Sequence, residues 1–371
     1  MSQTFDKMNE TILIPSEDKG PEAPISNFEL ISTGVGITTL SVLGTVGNMI
    51  SLLVLSRPQM HSSINCSLQG LAIFDTGVLV CALVMLGLTT LGKVVHWLRF
   101  YTWVVFPFIV PVIYPIALIA QTGSVWMTVI VTVERYVAVC HPLQARSIFT
   151  YKRSRFYIII VTTFAVCYNI PRFWEIQRRE ILDPVTNSTV YNIQPSTFRE
   201  NKLYFEIYYI WMYLLMMYFI PLFTLVILNT FIWRTVKQAN RYRQKLSLRQ
   251  QKEISLATML LCVVVVFLIC NVTAFIVNIL EYFDVYWGSL ANLSNLLVTL
   301  NSSVNFIIYC IYGHKFKQTL FLIFCKQKLQ RTQTFTSGTD RSVWIRFQST
   351  RRRQSHLHDT NIGRIEETVG L

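Results

Sequence analysis

Val133-Glu134-Arg135-Tyr136-Val137 closes an apolar run that begins near Trp103. Inside hydrocarbon each of the two adjacent charges would cost several kcal/mol, roughly 2.5–3.5 on insertion scales. They belong at a membrane edge or paired inside a helix bundle. Neighbouring residues on a helix point about 100° apart, so one charge can face the bundle while the other faces the interface. Arg135 keeps its charge and offers a planar fork of donors, which suits it to exchanging partners. A lone arginine at a helix end would only snorkel to the headgroups. The rest of the chain decides between these readings.

Seven apolar runs follow one another, at about 30–55, 65–91, 103–138, 156–173, 203–233, 254–281 and 287–311. Each is long enough for a ~30 Å hydrocarbon core at about 1.5 Å per residue, the fourth only just. The composition agrees: 52% of the 371 residues are hydrophobic and 14% charged, where soluble domains carry about 25% charged residues. Mean hydropathy is +0.42. The fold expected is an all-α membrane protein, a seven-transmembrane helix bundle.

Net charge +13 would suit a nucleic-acid binder, but its distribution argues for a membrane instead. Of the 33 Lys and Arg, 24 fall on the side of Arg135 and 9 on the other. This asymmetry marks the Arg135 side as cytoplasmic, facing anionic lipid, with no nucleic-acid partner. The acids Asp6, Glu10, Glu17, Asp18 and Glu22 precede the first span and Arg57 follows it, which favours an outside N-terminus. No apolar core flanked by basic residues marks a cleaved signal peptide in residues 1–28. The expected organisation is an extracellular tail over 1–28, the bundle over 29–312, an amphipathic membrane-surface helix over 313–325 and a disordered cytoplasmic tail over 326–371. Trp97, Trp103, Trp174, Trp211 and Trp287 sit near outer ends, as an aromatic belt would. The segment 174–203 is too long for a tight turn and is expected to carry structure of its own over the mouth.

Modification signals divide by side. Asn9 and Asn187 head glycosylation sequons in outer segments, whereas the sequons at Asn271 and Asn301 lie within spans. Cys325 ends the stretch in which Phe316, Leu320, Phe321 and Phe324 recur at helical spacing; it is a palmitoylation candidate or a free thiol. All eight cysteines fall in spans or on the inner side, so no structural disulfide is expected, and no pair has the spacing of a structural metal site. Thr332, Thr334, Thr336, Ser337, Thr339 and Ser342 in the tail suit kinases.

Polar groups within the spans are few. Asp75 is the only deep carboxylate, a functional site by default in a membrane. Asn48, Ser124, Asn301 and Asn305 lie at comparable depth, and Asn301 and Asn305 share a helical face. Together they form either a polar packing network or a cradle for an allosteric Na+; no other cofactor is implied. Pro107, Pro111, Pro115, Pro171 and Pro221 imply kinks. No nucleophile–base pair and no phosphate loop appears, so there is no case for an enzyme.

Taken in order, these motifs resemble the rhodopsin-like G-protein-coupled receptors, over about residues 30–325. Gly47-Asn48, Leu71 to Asp75, Glu134-Arg135-Tyr136, Pro221, Phe267 with Cys270, and Asn305 to Tyr309 match the family's helix motifs. The departures are specific. Cys270-Asn271-Val272-Thr273 stands for Cys-Trp-x-Pro, Phe306 for proline and Asn229 for tyrosine. The fourth-helix tryptophan is missing, and Val110 stands where the bridging cysteine of helix three is expected. The run Asn169 to Glu175, with Val133 to Leu143 and Cys270-Asn271, is similar to invertebrate FMRFamide and myosuppressin receptors.

The resemblance implies a plasma-membrane receptor for an extracellular amidated neuropeptide. It implies signalling through a heterotrimeric G protein, and arrestin binding through the phosphorylated tail. Glu134, Arg135, Tyr136, Glu253, Asn229 and Tyr309 are then the switch, with Arg135 latched to Glu134 and Glu253 at rest; Glu253 alone could equally be a solvated helix-start acid. Ala117 stands where amine receptors carry Asp, against a biogenic amine. An Arg-Phe-amide peptide needs an acid, aromatic rings and amide-bonding groups. The candidates are Glu175, Glu281, Tyr114, Gln121, Tyr213, Asn271, Phe275, Asn278 and Asn295, with Glu206 and Asp284 as further acids near the mouth. The rival reading is a seven-span ion channel or transporter conducting past Asp75, for which one carboxylate among scattered Asn and Ser is thin support.

Overall fold

The computed structural model describes residues 25–182, 189–241, 248–283, 285 and 287–323. Six helices are long and apolar enough to span a membrane: α1 (Asn27–Leu55), α2 (Ser63–Val94), α3 (His96–Cys140), α4 (Tyr151–Trp174), α5 (Tyr204–Gln238) and α6, helical over Leu248–Tyr282 with its apolar window at Leu261–Leu280. A seventh, α7, consists of Gly288–Ser303 and Asn305–Tyr312 joined through a 42° bend. Residues 314–323 are helical as well. The seven expected spans are thus recovered: six run a few residues past their apolar runs at one end or both, and the seventh is shifted by one residue.

The helix starts follow capping chemistry. Ser26, Ser62 and Thr150 each accept a hydrogen bond from the backbone N–H three residues on, meeting donors that a first turn leaves open. Prolines lie next to two of the wide turns. In α3 the wide turn Tyr101–Val105 comes just before Pro107, and Pro111 and Pro115 lie farther inside the helix. The wide turn Leu215–Phe219 of α5 directly precedes Pro221, whose missing N–H breaks the regular ladder. Close approach needs glycine at Gly44, where a Cβ would lie 2.6 Å from Ser303 Cβ and 2.9 Å from Ser303 Cα.

Between α4 and α5 the chain forms an antiparallel hairpin, β1 (Ile176–Leu182) with β2 (Thr189–Pro195), in the register Ile176↔Pro195 to Leu182↔Thr189. This is the outer structure expected over 174–203. Its apolar side chains Ile176 and Ile193 pack with Val110, Phe106, Tyr114 and Met85 of α2 and α3. Phe108 meets Tyr191 edge-on and lies under Arg178. Of the tryptophans expected at the outer ends, Trp97, Trp174, Trp211 and Trp287 are exposed and Trp103 is half-buried. The cysteines at 66, 81, 140, 167, 262, 270 and 310 are free thiols. Val110, at the position of the family's bridging cysteine, packs against the hairpin with its side chain alone.

Candidate ligand cavity and switch layers

Below the hairpin lies a cavity of about 190 Å³. Its walls come from α2, α3, α5, α6 and α7, with Arg172 from the end of α4. Of the candidates, Tyr114, Gln121, Tyr213, Asn278 and Asn295 line it. Asn271 does not: it is buried, and its Nδ2 donates to the Phe267 carbonyl one turn back (2.9 Å). Phe275 packs instead on Tyr218 and Phe219 of α5. Asn278 Nδ2 donates to Tyr218 Oη (3.2 Å) and to the Ala274 carbonyl (2.7 Å). The Glu281 and Asp284 side chains lie outside the described residues. Glu206 is an exposed acid 3.8 Å from Lys202.

Glu175 needs a different account from the one its sequence position suggests. It is completely buried and does not line the cavity. Arg172 Nη1 donates to both its carboxylate oxygens, at 2.9 and 3.2 Å. Tyr204 Oη donates to Oε1 (2.6 Å) and Tyr114 Oη to Oε2 (3.2 Å). Its acceptors are therefore occupied, and it offers no vacant partner for an incoming guanidinium. The Arg172 guanidinium stacks on the rings of Tyr208, Tyr209 and Tyr213 at 5.0, 4.7 and 5.5 Å. Arg199 lies over Tyr209 and donates from Nη2 to its hydroxyl (2.9 Å). A buried pair is tolerated only when its remaining groups find partners, and this tyrosine cage supplies most of them.

Sequence reading missed Arg172, Arg199, Tyr204 and Tyr209. The available signal was a charged Arg–x–x–Glu at the mouth of an apolar helix, a spacing that brings the two side chains together. Among the described residues the cavity lining includes no carboxylate, and Arg172 is its one charged member.

Deeper in the bundle, Asp75 is fully buried. Ser124 Oγ donates to its Oδ1 (2.6 Å) and Asn305 Nδ2 to its Oδ2 (2.7 Å). Asn48 Nδ2 donates to the Ser302 carbonyl (3.1 Å), tying α1 to α7. Asn301 is half-buried, and no side-chain bond joins it to Asp75 among the described residues. The 42° bend at Val304 separates it from Asn305, so the shared face expected of a straight helix is lost. The channel alternative also loses its footing, because the one deep carboxylate is packed and capped.

At the far end, Glu134 and Arg135 are both buried, and Ser67 Oγ donates to Glu134 Oε2 (2.9 Å). Tyr136 lies beside His141 and Phe231 and packs with Ile232 and Val236 of α5. Asn229 Nδ2 donates to the Leu225 carbonyl of its own helix (2.7 Å). Tyr309 is buried and meets the Phe316 ring at 5.7 Å. The Glu253 side chain, Cys325, Asn9 and Asn187 lie outside the described residues.

Comparison with known proteins points the same way. The pattern of the seven-transmembrane receptor (rhodopsin) family matches residues 47–309. The chain is 47% identical to an FMRFamide receptor of Drosophila melanogaster over 310 residues, 83% of this chain and 56% of that protein. It is 34% identical to an FMRFamide peptide receptor of Caenorhabditis elegans over 77% of this chain and 68% of the relative. The Drosophila sex peptide receptor is 27% identical over 80% of this chain and 73% of its own length. The chain thus spans little more than half of the Drosophila FMRFamide receptor's length.

Proposed function

Because the chain belongs to the seven-transmembrane receptor (rhodopsin) family, we propose that it is a plasma-membrane receptor for an extracellular amidated peptide of the Arg-Phe-amide type, signalling through a heterotrimeric G protein. The N-terminus and the hairpin end face outward; the Arg135 end and the C-terminus face the cytoplasm, as the distribution of Lys and Arg supports. The observation that carries the ligand class is the cavity lining: tyrosine rings and side-chain amides with no carboxylate. Such a site takes an aromatic residue with an uncharged amide end. It has no carboxylate to pair with a guanidinium, so burying one there would cost its hydration without return. The peptide therefore enters by its Phe-amide, and its Arg stays at the rim, where Glu206, Glu281 and Asp284 are the acids within reach along the chain.

Binding that favours an open state moves α6 away from α3, and Arg135 leaves Glu134 and Glu253 for the G protein. Tyr309 and Asn229 repack as that cleft opens. Na+ held by Asp75 and Ser124, with Asn301 and Asn305 beside them, favours the resting state; a carboxylate with neutral oxygen groups is suitable chemistry for a hard cation. Arrestin reads the phosphorylated tail, and Cys325 and the helix over 314–323 contact membrane lipid.

The deciding experiment is a screen of amidated peptides, beginning with FMRFamide, read as guanine-nucleotide exchange on purified G protein. Exchange at submicromolar peptide is expected. No exchange with any amidated peptide, from receptor shown to be folded, overturns the proposal.

A further inference from the structure

Arg172 brings a positive charge to the wall of a cavity assigned to a neutral ligand end, and the structure shows what cancels it. Glu175 stands behind Arg172, outside the lining, with both carboxylate oxygens within hydrogen-bond reach of Nη1. Both residues are almost wholly buried, so little solvent screens either charge. Seen from the cavity the pair is neutral. Gln121 and Asn295 line the same cavity, and their side-chain amides engage no partner among the described residues. Each offers both a donor and an acceptor.

A primary carboxamide matches this inventory, because it too carries both. A carboxylate has only acceptors; it would leave the Gln121 and Asn295 oxygens unanswered and bring a charge into an uncharged site. We propose that Glu175 is a specificity residue that never touches the ligand: by cancelling Arg172 it makes the cavity choose an amidated over a free-acid peptide end. This rests on the peptide-receptor reading above and adds a role for a residue that reading leaves out of contact.

The magnitude follows from Coulomb attraction. An unbalanced Arg172 about 10 Å from a carboxylate, at an effective dielectric near 20, favours the anion by roughly tenfold in affinity. The test compares FMRFamide with the same tetrapeptide ending in a free carboxylate, on the unaltered receptor, on Glu175→Gln and on Arg172→Gln, at matched surface density. The unaltered receptor should respond to the amide and only weakly to the acid. Glu175→Gln should narrow the amide-to-acid potency ratio about tenfold, mainly through a gain by the acid. Arg172→Gln should widen it, because Glu175 then repels the acid alone. Should Glu175→Gln fail to reach the surface, the opposite shift in Arg172→Gln decides the question. A ratio unchanged in the surviving variants, or equal losses for both peptides, overturns the inference and leaves the receptor reading intact. An unaltered receptor silent to amidated peptides overturns the receptor reading instead.

Discussion

Replacing Tyr204 by Phe deletes one hydroxyl and keeps the ring. That hydroxyl donates to Glu175 Oε1 at 2.6 Å, in a site where Glu175 is wholly buried. The ring's contacts with Phe198 and Tyr208, at 4.2 and 5.0 Å between centroids, survive the change. A hydrogen bond to a charged group contributes about 1.5–3 kcal/mol, and a buried carboxylate that loses one has no water to replace it. With an unfolding entropy near 2.1 cal/mol/K per residue, about 300 residues give ~0.6 kcal/mol/K, so the melting temperature should fall by about 2.5–5 °C. The exposed pair Lys202–Glu206, 3.8 Å apart in the same stretch, is the control; Lys202→Ala should cost well under 1 kcal/mol and so lower the melting temperature far less. Purified receptor in lipid nanodiscs, melted with a thiol-reactive or tryptophan readout, gives both numbers. Tyr204→Phe melting within 1 °C of the parent, or Lys202→Ala falling equally far, would refute the view that this cage holds the hairpin end together.

Three further outcomes are expected. Gly44→Ala forces a methyl to within 2.6 Å of Ser303 Cβ, next to the bend of α7; it should cost about 1–3 kcal/mol, seen as lower surface expression and a lower melting point. Asp75→Asn removes the charge that Ser124 and Asn305 cap; sodium should then no longer weaken agonist binding, and retained sodium sensitivity would count against an ion at Asp75. Glu253→Ala should raise nucleotide exchange without peptide several-fold, and unchanged basal exchange would remove Glu253 from the resting latch.

The spans were legible because an 18-residue apolar run has few other physical uses. The capped carboxylate at Asp75 was legible too, since a charge that deep needs donors, and two of the four polar groups expected at its level, Ser124 and Asn305, supply them. The bend at Val304 was not: Asn301 and Asn305 look like neighbours on any straight helix. Lining and packing were equally hidden, because lipid-facing, core and cavity positions of a span are all apolar. Asn271 and Phe275 illustrate this, one bonded to its own helix and the other turned to α5. Glu175 was found for the wrong reason. Its neighbour three residues back was visible, but Tyr114 and Tyr204 reach it from two other helices across 61 and 29 positions.

The way the β1–β2 hairpin is fastened bears on how the molecule is made. Buried charge and stacked rings hold it, and the cysteines among the described residues are free thiols. Because contacts of this kind need no oxidant, the chain should mature in a reducing, cell-free translation mix supplied with bilayer, and added glutathione should leave its yield untouched.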